Sequence, residues 1–102
     1  MVLLSVGFRT QPNKRDEVLS AVDEAVSRMR HLPGCARGRL FADTDDPDSF
    51  TLISEWRSID DADGFFASPE FHLLRGLRML LRDEPVVVLD DVRSRLTRLV
   101  RG

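Results

Sequence analysis

The order in which strand-like and helix-like segments follow one another is the feature that most restricts the fold of this chain. Four segments are short and rich in β-branched and aromatic residues, and turn residues bound them. After the first and the third of these segments, apolar residues recur at helical spacing instead. The predicted strands are Val2–Arg9, Cys35–Asp43, Ser49–Arg57 and Val86–Val92. The resulting order, β-α-β-β-α-β, predicts a ferredoxin-like α+β fold, an antiparallel sheet with helices on one face.

Turn and capping residues predict where the helices begin and end. Asn13 is expected to cap the first helix, which should end at the Pro-Gly pair that closes with Gly34. Ser58 and Asp61 have the spacing of a capping box, and Ser68 precedes a proline as the start of another helix would. The second helical region is therefore predicted to be broken into two helices.

Length and charge exclude several classes of protein. The chain has 102 residues, so a single domain over 1–102 is expected, with a core at 2–92 and a basic extension at 93–102. The net charge of −2 argues against a nucleic-acid-binding protein, and no apolar run reaches the roughly 20 residues of a membrane span. The single cysteine, Cys35, fits a cytoplasmic protein. The basic extension is expected to be a solvated tail or a strand that steadies a dimer.

No motif in the sequence indicates a metal or a cofactor. The segment from Asp43 to Ser54 resembles a calcium loop in its acids but has neither the central glycine nor the final glutamate. Cysteine and histidine do not occur at zinc spacing, and no glycine-rich loop precedes a helix.

The predicted sheet has apolar residues on both faces. The face assigned to the helices holds Val2, Leu4, Val6, Phe8, Phe50, Leu52, Trp56, Val86, Val88 and Val92. The opposite face holds Leu3, Phe41, Ile53, Val87 and Leu89. Because the helices cover one face only, the second set would be exposed in a monomer, which is typical of an interface. A homodimer that packs sheet against sheet is therefore predicted, with Arg37 and Arg39 facing acids such as Asp90 of the partner subunit or Asp91 of the partner subunit.

Four short motifs resemble those of a known family. They are Pro33-Gly34-Cys35, Asp46-Pro47-Asp48-Ser49-Phe50, Glu55-Trp56-Arg57-Ser58 and Ala67-Ser68-Pro69-Glu70-Phe71. In this order, over residues 2–92, they resemble the antibiotic biosynthesis monooxygenase (ABM) domain. The resemblance implies a homodimeric α+β barrel with a pocket between sheet and helices in each subunit. It also implies oxidation of polycyclic phenols or quinols by molecular oxygen without a cofactor, or haem degradation in one branch.

The resemblance and the chemistry of the side chains suggest the site residues. Trp56 is expected to form an aromatic wall of the pocket, and its indole N–H needs a partner when it is buried. His72 is the candidate base, because imidazole is the side chain best suited to general base catalysis near neutral pH, although an exposed surface role is the commoner one. The other predicted substrate contacts are Phe8, Ser54, Phe65, Phe66 and Arg75. For the phenylalanines ordinary core packing is the competing interpretation, and for Arg75 it is a solvated helix face.

The chain departs from the family pattern at informative positions. Phe65 stands where many members have a histidine, and Phe8 and Arg75 stand where the haem-degrading branch has an asparagine and a histidine. Haem degradation is thereby disfavoured. The favoured function is a cofactor-independent monooxygenase for a polycyclic phenol or quinol-like aromatic. The alternative is a non-catalytic dimeric module that binds a small aromatic molecule, and Phe65 supports it to some degree.

Overall fold

The computed structural model describes residues 1–91 and the backbone of 96–101. The strands are Val2–Arg9 (β1), Cys35–Ala42 (β2), Ser49–Trp56 (β3), Val86–Asp91 (β4) and Leu96–Arg101 (β5). The helices are Arg15–Met29 (α1), Ile59–Phe66 (α2) and Pro69–Gly76 (α3), and a 3₁₀ helix follows at Leu77–Leu80. The predicted ferredoxin-like α+β fold is confirmed. Within the described residues, no helix is both long and apolar enough to cross a membrane.

All strand pairs of the five-stranded sheet are antiparallel, in the spatial order β2-β3-β1-β4-β5. β1 is central: Leu4 lies opposite Ser54 of β3 on one side and opposite Leu89 of β4 on the other. β5 is an additional strand, formed by the backbone of a segment predicted to be a tail or a dimer-steadying strand. Val92, assigned to the last predicted strand, lies outside the described residues.

The start of α1 differs from its prediction. Asn13 is not the N-cap but adopts a left-handed backbone with φ of +68°, a conformation that asparagine tolerates better than most residues. The backbone N–H of Lys14 donates to the carbonyl of Gln11 at 3.1 Å, which closes this turn. Lys14 then occupies the cap position without a side-chain hydrogen bond to the helix.

The predicted break in the second helical region is confirmed, and a serine caps each of the two resulting helices. Ser58 Oγ accepts from the backbone N–H of Asp61 at 3.1 Å and donates to the Asp61 carboxylate at 3.0 Å. Ser68 Oγ accepts from the backbone N–H of Phe71 and donates to the carbonyl of Phe65. These bonds satisfy donors that the helix itself leaves free, and they bring the end of α2 against the start of α3.

The prediction of which β4 side chains face the helices is wrong, because the alternation is shifted by one residue. Val87 and Leu89 are buried on the helix side, whereas Val86 and Val88 lie on the opposite face. The reason is the register: Val87 pairs with Val6, and residues directly opposite each other point to the same face. Because β4 begins with four consecutive apolar residues, alternation along the strand does not reveal its inward face.

The face of the sheet opposite the helices exposes several apolar side chains. Phe41 and Val86 are 47% and 54% exposed on it, and three further apolar side chains on this face are half-buried. These three are Leu3, Ile53 and Val88. The predicted two-sided apolar character of the sheet therefore holds, with Val86 and Val88 in place of Val87 and Leu89.

Candidate functional site

A cluster of four aromatic rings lies where the end of β3 meets the two short helices. The Trp56 and Phe65 rings stack with centroids 5.2 Å apart and planes inclined by 24°. Phe71 contacts Phe65 at 5.4 Å and Phe66 edge-on at 5.0 Å. The helix break at Ser68 makes this packing possible, because it turns the last residues of α2 toward the first turn of α3. The structure thus brings together three of the predicted contacts, Trp56, Phe65 and Phe66.

The indole N–H of Trp56 is satisfied inside the protein. Trp56 Nε1 donates to Ser54 Oγ at 2.8 Å, and Ser54 Oγ donates to the carbonyl of Leu4 at 3.4 Å. Both Trp56 and Ser54 have no exposed surface. The two residues are two apart on one strand and therefore share a face. In this state the serine positions the tryptophan, and neither polar atom is available to a ligand.

Phe8 is distant from the cluster along the sheet. It pairs with Phe50, whereas Trp56 pairs with Val2, six residues away on β1. At the usual rise of a strand this separation is roughly 20 Å. The structure places Phe8 in the buried core but does not bring it to the Trp56 end of the sheet.

His72 and Arg75 lie on α3 with exposed side chains. His72 directly follows the buried Phe71, and its backbone N–H donates to the carbonyl of Ser68 at 3.2 Å. A substrate in contact with His72 would therefore have to reach the surface of α3. The roles of His72 and Arg75 in the chemistry stay predictions.

A cleft next to the aromatic cluster was not predicted from the sequence. It has a volume of about 220 Å³ and is lined by Leu32, Pro33, Asp60, Asp61, Gly64 and Phe65. We call it the Phe65 cleft. It lies between the loop that follows α1 and the first two turns of α2, so its walls come from segments about 30 residues apart in the chain. Such a site has no local signature in the sequence.

The Pro33-Gly34 turn forms the wall of this cleft that faces α2. Gly34 has φ of +81°, and its carbonyl accepts from the backbone N–H of Arg57 at 2.9 Å. A Cβ atom at Gly34 would overlap the side chain of Asp61. The turn therefore requires glycine for both its backbone conformation and the close approach of α2.

Two other cavities adjoin β2. One, of about 350 Å³, lies at the strand edge and is lined by Arg30 and residues 35–39. The second, of about 150 Å³, is a depression of the open sheet face, lined by Arg37, Arg39, Phe41, Ile53 and Glu55. Burial raises the pKa of the Cys35 thiol at the first cavity above its ordinary value, so that thiol is not an activated nucleophile.

The carboxylates of the acidic loop bond to their own backbone. Asp43 accepts from the backbone N–H groups of Asp45 and Asp46 at 2.7 and 3.1 Å. Asp46 accepts from the backbone N–H of Asp48 and from Ser49 Oγ, which holds the pKa of Asp46 below its ordinary range. These are the local bonds of turn-forming residues. Among the described residues, no group of three or more His, Cys, Asp or Glu side chains is placed to hold a metal ion.

The sheet order, the helices on one face and the aromatic cluster define a ferredoxin-like α+β protein. The sequence profile described as antibiotic biosynthesis monooxygenase matches residues 1–75. The chain belongs to this family, as its motifs predict.

Solved structures share the fold of this chain. A crystal structure of an antibiotic biosynthesis monooxygenase is 30% identical in sequence, with a TM-score of 0.83 over 90% of this chain and 98% of that one. A Mycobacterium tuberculosis protein is 22% identical, with a TM-score of 0.82 over 88% of this chain and 92% of that one. A conserved protein of Methanosarcina mazei has a TM-score of 0.80 at 17% identity, over 86% and 88% of the two chains. A sequence search of the curated proteins gave no match.

Proposed function

We propose that this protein is a cofactor-independent monooxygenase that oxidises a polycyclic phenol or a quinol-like aromatic with molecular oxygen. The observation that carries the proposal is the stacked Trp56–Phe65 pair at the junction of sheet and helices, in a chain of the ABM family. The Trp56 ring has a flat face of the kind on which a planar aromatic stacks, and in this structure the Phe65 ring covers it. Ser54 fixes the orientation of that face by holding the indole N–H.

In the proposed reaction the substrate supplies all the electrons. Loss of the phenol proton gives an electron-rich ring, which donates to oxygen and forms a carbon–oxygen bond at a ring carbon. The resulting hydroperoxide loses water and leaves a quinone carbonyl. One oxygen atom enters the product, the other leaves as water, and the two hydrogens of that water come from the substrate. The protein binds the ring, orients it and keeps bulk water from the reactive intermediate.

We assign His72 as the proton acceptor and Arg75 as the cation next to the developing negative charge. Both lie on α3 near the cluster in sequence, since Phe71 immediately precedes His72. A histidine has an ordinary pKa near neutral and is suited to general base catalysis at pH 7. An arginine guanidinium stabilises an oxyanion by charge-assisted hydrogen bonds.

The test is oxygen consumption with an anthrone-type phenol in air, without added metal or cofactor. We expect uptake of one oxygen molecule per quinone formed. His72→Gln should lower kcat by about 10²-fold, the usual contribution of a general base, and His31→Gln at the exposed end of α1 is the control. Absence of oxygen uptake above the uncatalysed rate with a series of such phenols would refute the proposal.

A second function is favoured by one observation. Phe65 fills the position next to Trp56, and the four clustered rings carry no titratable group. A non-catalytic module that binds a small aromatic molecule needs no such group. That function predicts saturable binding of the same phenols with no oxygen uptake. Haem degradation has less support, because Phe8 and Arg75 stand where the haem-degrading branch has an asparagine and a histidine.

We further propose that the protein is a cytoplasmic homodimer joined through the open sheet face. The apolar side chains on that face support the dimer, and so does the depression between Arg39, Phe41 and Ile53. Exposed apolar side chains gathered on one face of a sheet are typical of a protein interface. The half-buried free thiol of Cys35 fits a reducing compartment.

A further inference from the structure

The cavity of about 350 Å³ at the edge of β2 is lined by three arginines and, among the described residues, by no acidic residue. The arginines are Arg30, at the end of α1, and Arg37 and Arg39 of β2. We call it the arginine cavity. Its volume lies within the roughly 300–1,000 Å³ of typical small-molecule sites. Because the whole chain has a net charge of −2, this concentration of positive charge is a local feature.

The close approach of α1 to β2 at Gly38 places Arg30 at the strand edge. A Cβ atom at Gly38 would overlap the end of the Met29 side chain, so glycine lets this end of the helix lie against the strand. The Nε–H of Arg30 donates to the carbonyl of Gly38 at 3.0 Å. That bond uses one of the five N–H donors of the guanidinium and holds the side chain at the cavity.

A β-bulge sets the direction of the side chains of β2. Cys35 pairs with Trp56, and the next pair along the strand is Arg37 with Glu55, so β2 has one extra residue here. Such a bulge re-aims the side chains that follow it. Cys35 therefore packs against the core on the helix side, while Arg37 and Arg39 lie on the open face with the residues opposite them. The arginine cavity extends around the strand edge between these two sides.

The three guanidinium groups are not neutralised by the part of the chain that the structure describes. None of them forms an ion pair there, whereas Arg28, two residues before Arg30, is paired with Glu24 at 2.8 Å. Positive charges that line one cavity repel each other, and an anion placed among them is attracted to all of them. Guanidinium N–H groups also form charge-assisted hydrogen bonds with the oxygens of carboxylates and phosphates.

We propose that the arginine cavity binds a phosphate dianion, either inorganic phosphate or the phosphoryl group of a monoester, through Arg30, Arg37 and Arg39. Three positive charges favour a dianion over a carboxylate, and a phosphoryl group presents three acceptor oxygens to donors from the helix end and the strand. The site goes beyond the proposed function and involves none of the residues assigned to the oxidation. The competing occupant is a carboxylate of a second copy, since Arg37 and Arg39 are predicted to face Asp90 of the partner subunit in the dimer.

The first experiment is a calorimetric titration of the full-length protein at pH 7 and constant ionic strength. The probes are inorganic phosphate, glycerol 3-phosphate and acetate. We expect saturable binding of at least one phosphate probe and at least about tenfold weaker binding of acetate. Tighter binding of glycerol 3-phosphate would identify the monoester as the ligand, and tighter binding of inorganic phosphate would identify the free ion.

Arginine variants test whether this cavity holds the anion. Arg30→Gln and Arg39→Gln should each weaken phosphate binding by at least about tenfold, because each removes a charge-assisted hydrogen bond. Arg78→Gln makes the same change of net charge at an exposed residue outside the cavity, and should change the affinity less than about twofold. Equal weakening by all three variants would overturn the proposal, because it would show general attraction of anions to a charged surface. The absence of phosphate binding would also overturn it, and is expected if carboxylates of the partner subunit occupy the arginines.

Cys35 reports on the location of the bound anion. It is the single cysteine of the chain and lines the arginine cavity. The tighter-binding phosphate probe, at a saturating concentration, should slow alkylation of Cys35 by the uncharged reagent iodoacetamide severalfold in the wild type and have little effect in Arg30→Gln. An alkylation rate that does not change when the probe saturates the wild type would place the anion elsewhere and overturn the assignment to this cavity.

Discussion

The hydrogen bond between Trp56 and Ser54 can be tested by a double-mutant cycle. Trp56→Phe removes two ring carbons at roughly 0.8 kcal/mol each and one hydrogen bond worth about 1 kcal/mol. We therefore expect it to lower the free energy of unfolding by about 2–3 kcal/mol. Ser54→Ala leaves a buried indole N–H without an acceptor, which costs about 1–3 kcal/mol. The burial of both side chains and the 2.8 Å separation of Nε1 and Oγ are the basis of these values.

The cycle separates the bond from the other effects of each change. In the double variant the hydrogen bond can be lost only once, so the combined destabilisation should be about 1 kcal/mol smaller than the sum of the single effects. Urea unfolding followed by far-ultraviolet circular dichroism measures this without relying on tryptophan emission. Protein concentration must be equal throughout, because the stability of a dimer depends on it. Additive effects within about 0.3 kcal/mol would refute the bond and leave the indole N–H available to a ligand.

Three further predictions concern other parts of the fold. Ile53→Asp should convert the proposed dimer to monomer at micromolar concentration, measured by light scattering, because a charge buried in an apolar interface is costly. A dimer of unchanged stability would contradict the open-face interface. Gly34→Ala should lower the free energy of unfolding by about 1–3 kcal/mol, because alanine there would have a positive φ and would overlap Asp61. Gly64→Ala should raise the free energy of unfolding, because Gly64 lies in α2 and a Cβ atom there meets no other atom. Cys35 should alkylate more slowly than a free thiol at pH 7, because burial raises its pKa and the thiolate is the reactive form. In a plot of alkylation rate against pH, the midpoint should lie above the usual thiol value of about 8.5. A rate equal to that of free cysteine would contradict this.

The parts of the fold that the sequence predicts are those governed by neighbours along the chain. β3 shows clear alternation and begins at the predicted residue, and the caps at Ser58 and Ser68 depend on residues three positions away. The inward face of β4 depends on its pairing with β1 instead. Since Val86, Val87 and Val88 are equally apolar, only that pairing distinguishes them.

The site was predictable in its aromatic residues and not in its shape. Trp56 and Phe65 were both predicted to contact a substrate, and their rings stack on each other in the structure. The distance of Phe8 from Trp56 follows from the register of β1 and β3. The Phe65 cleft depends on how closely the Gly34 turn approaches α2, which is a matter of packing between distant segments.

The position of Phe65 connects the stability of the core with access to Trp56. Burial of a phenylalanine contributes about 1.5–3 kcal/mol, and an aromatic pair adds about 0.5–1.5 kcal/mol. Because the Phe65 ring covers one face of the indole, any ligand that contacted this face would first have to overcome that contribution. Only a planar ring that stacks on the indole would restore part of it. The packing of Phe65 therefore disfavours contact between Trp56 and ligands that are not planar aromatics.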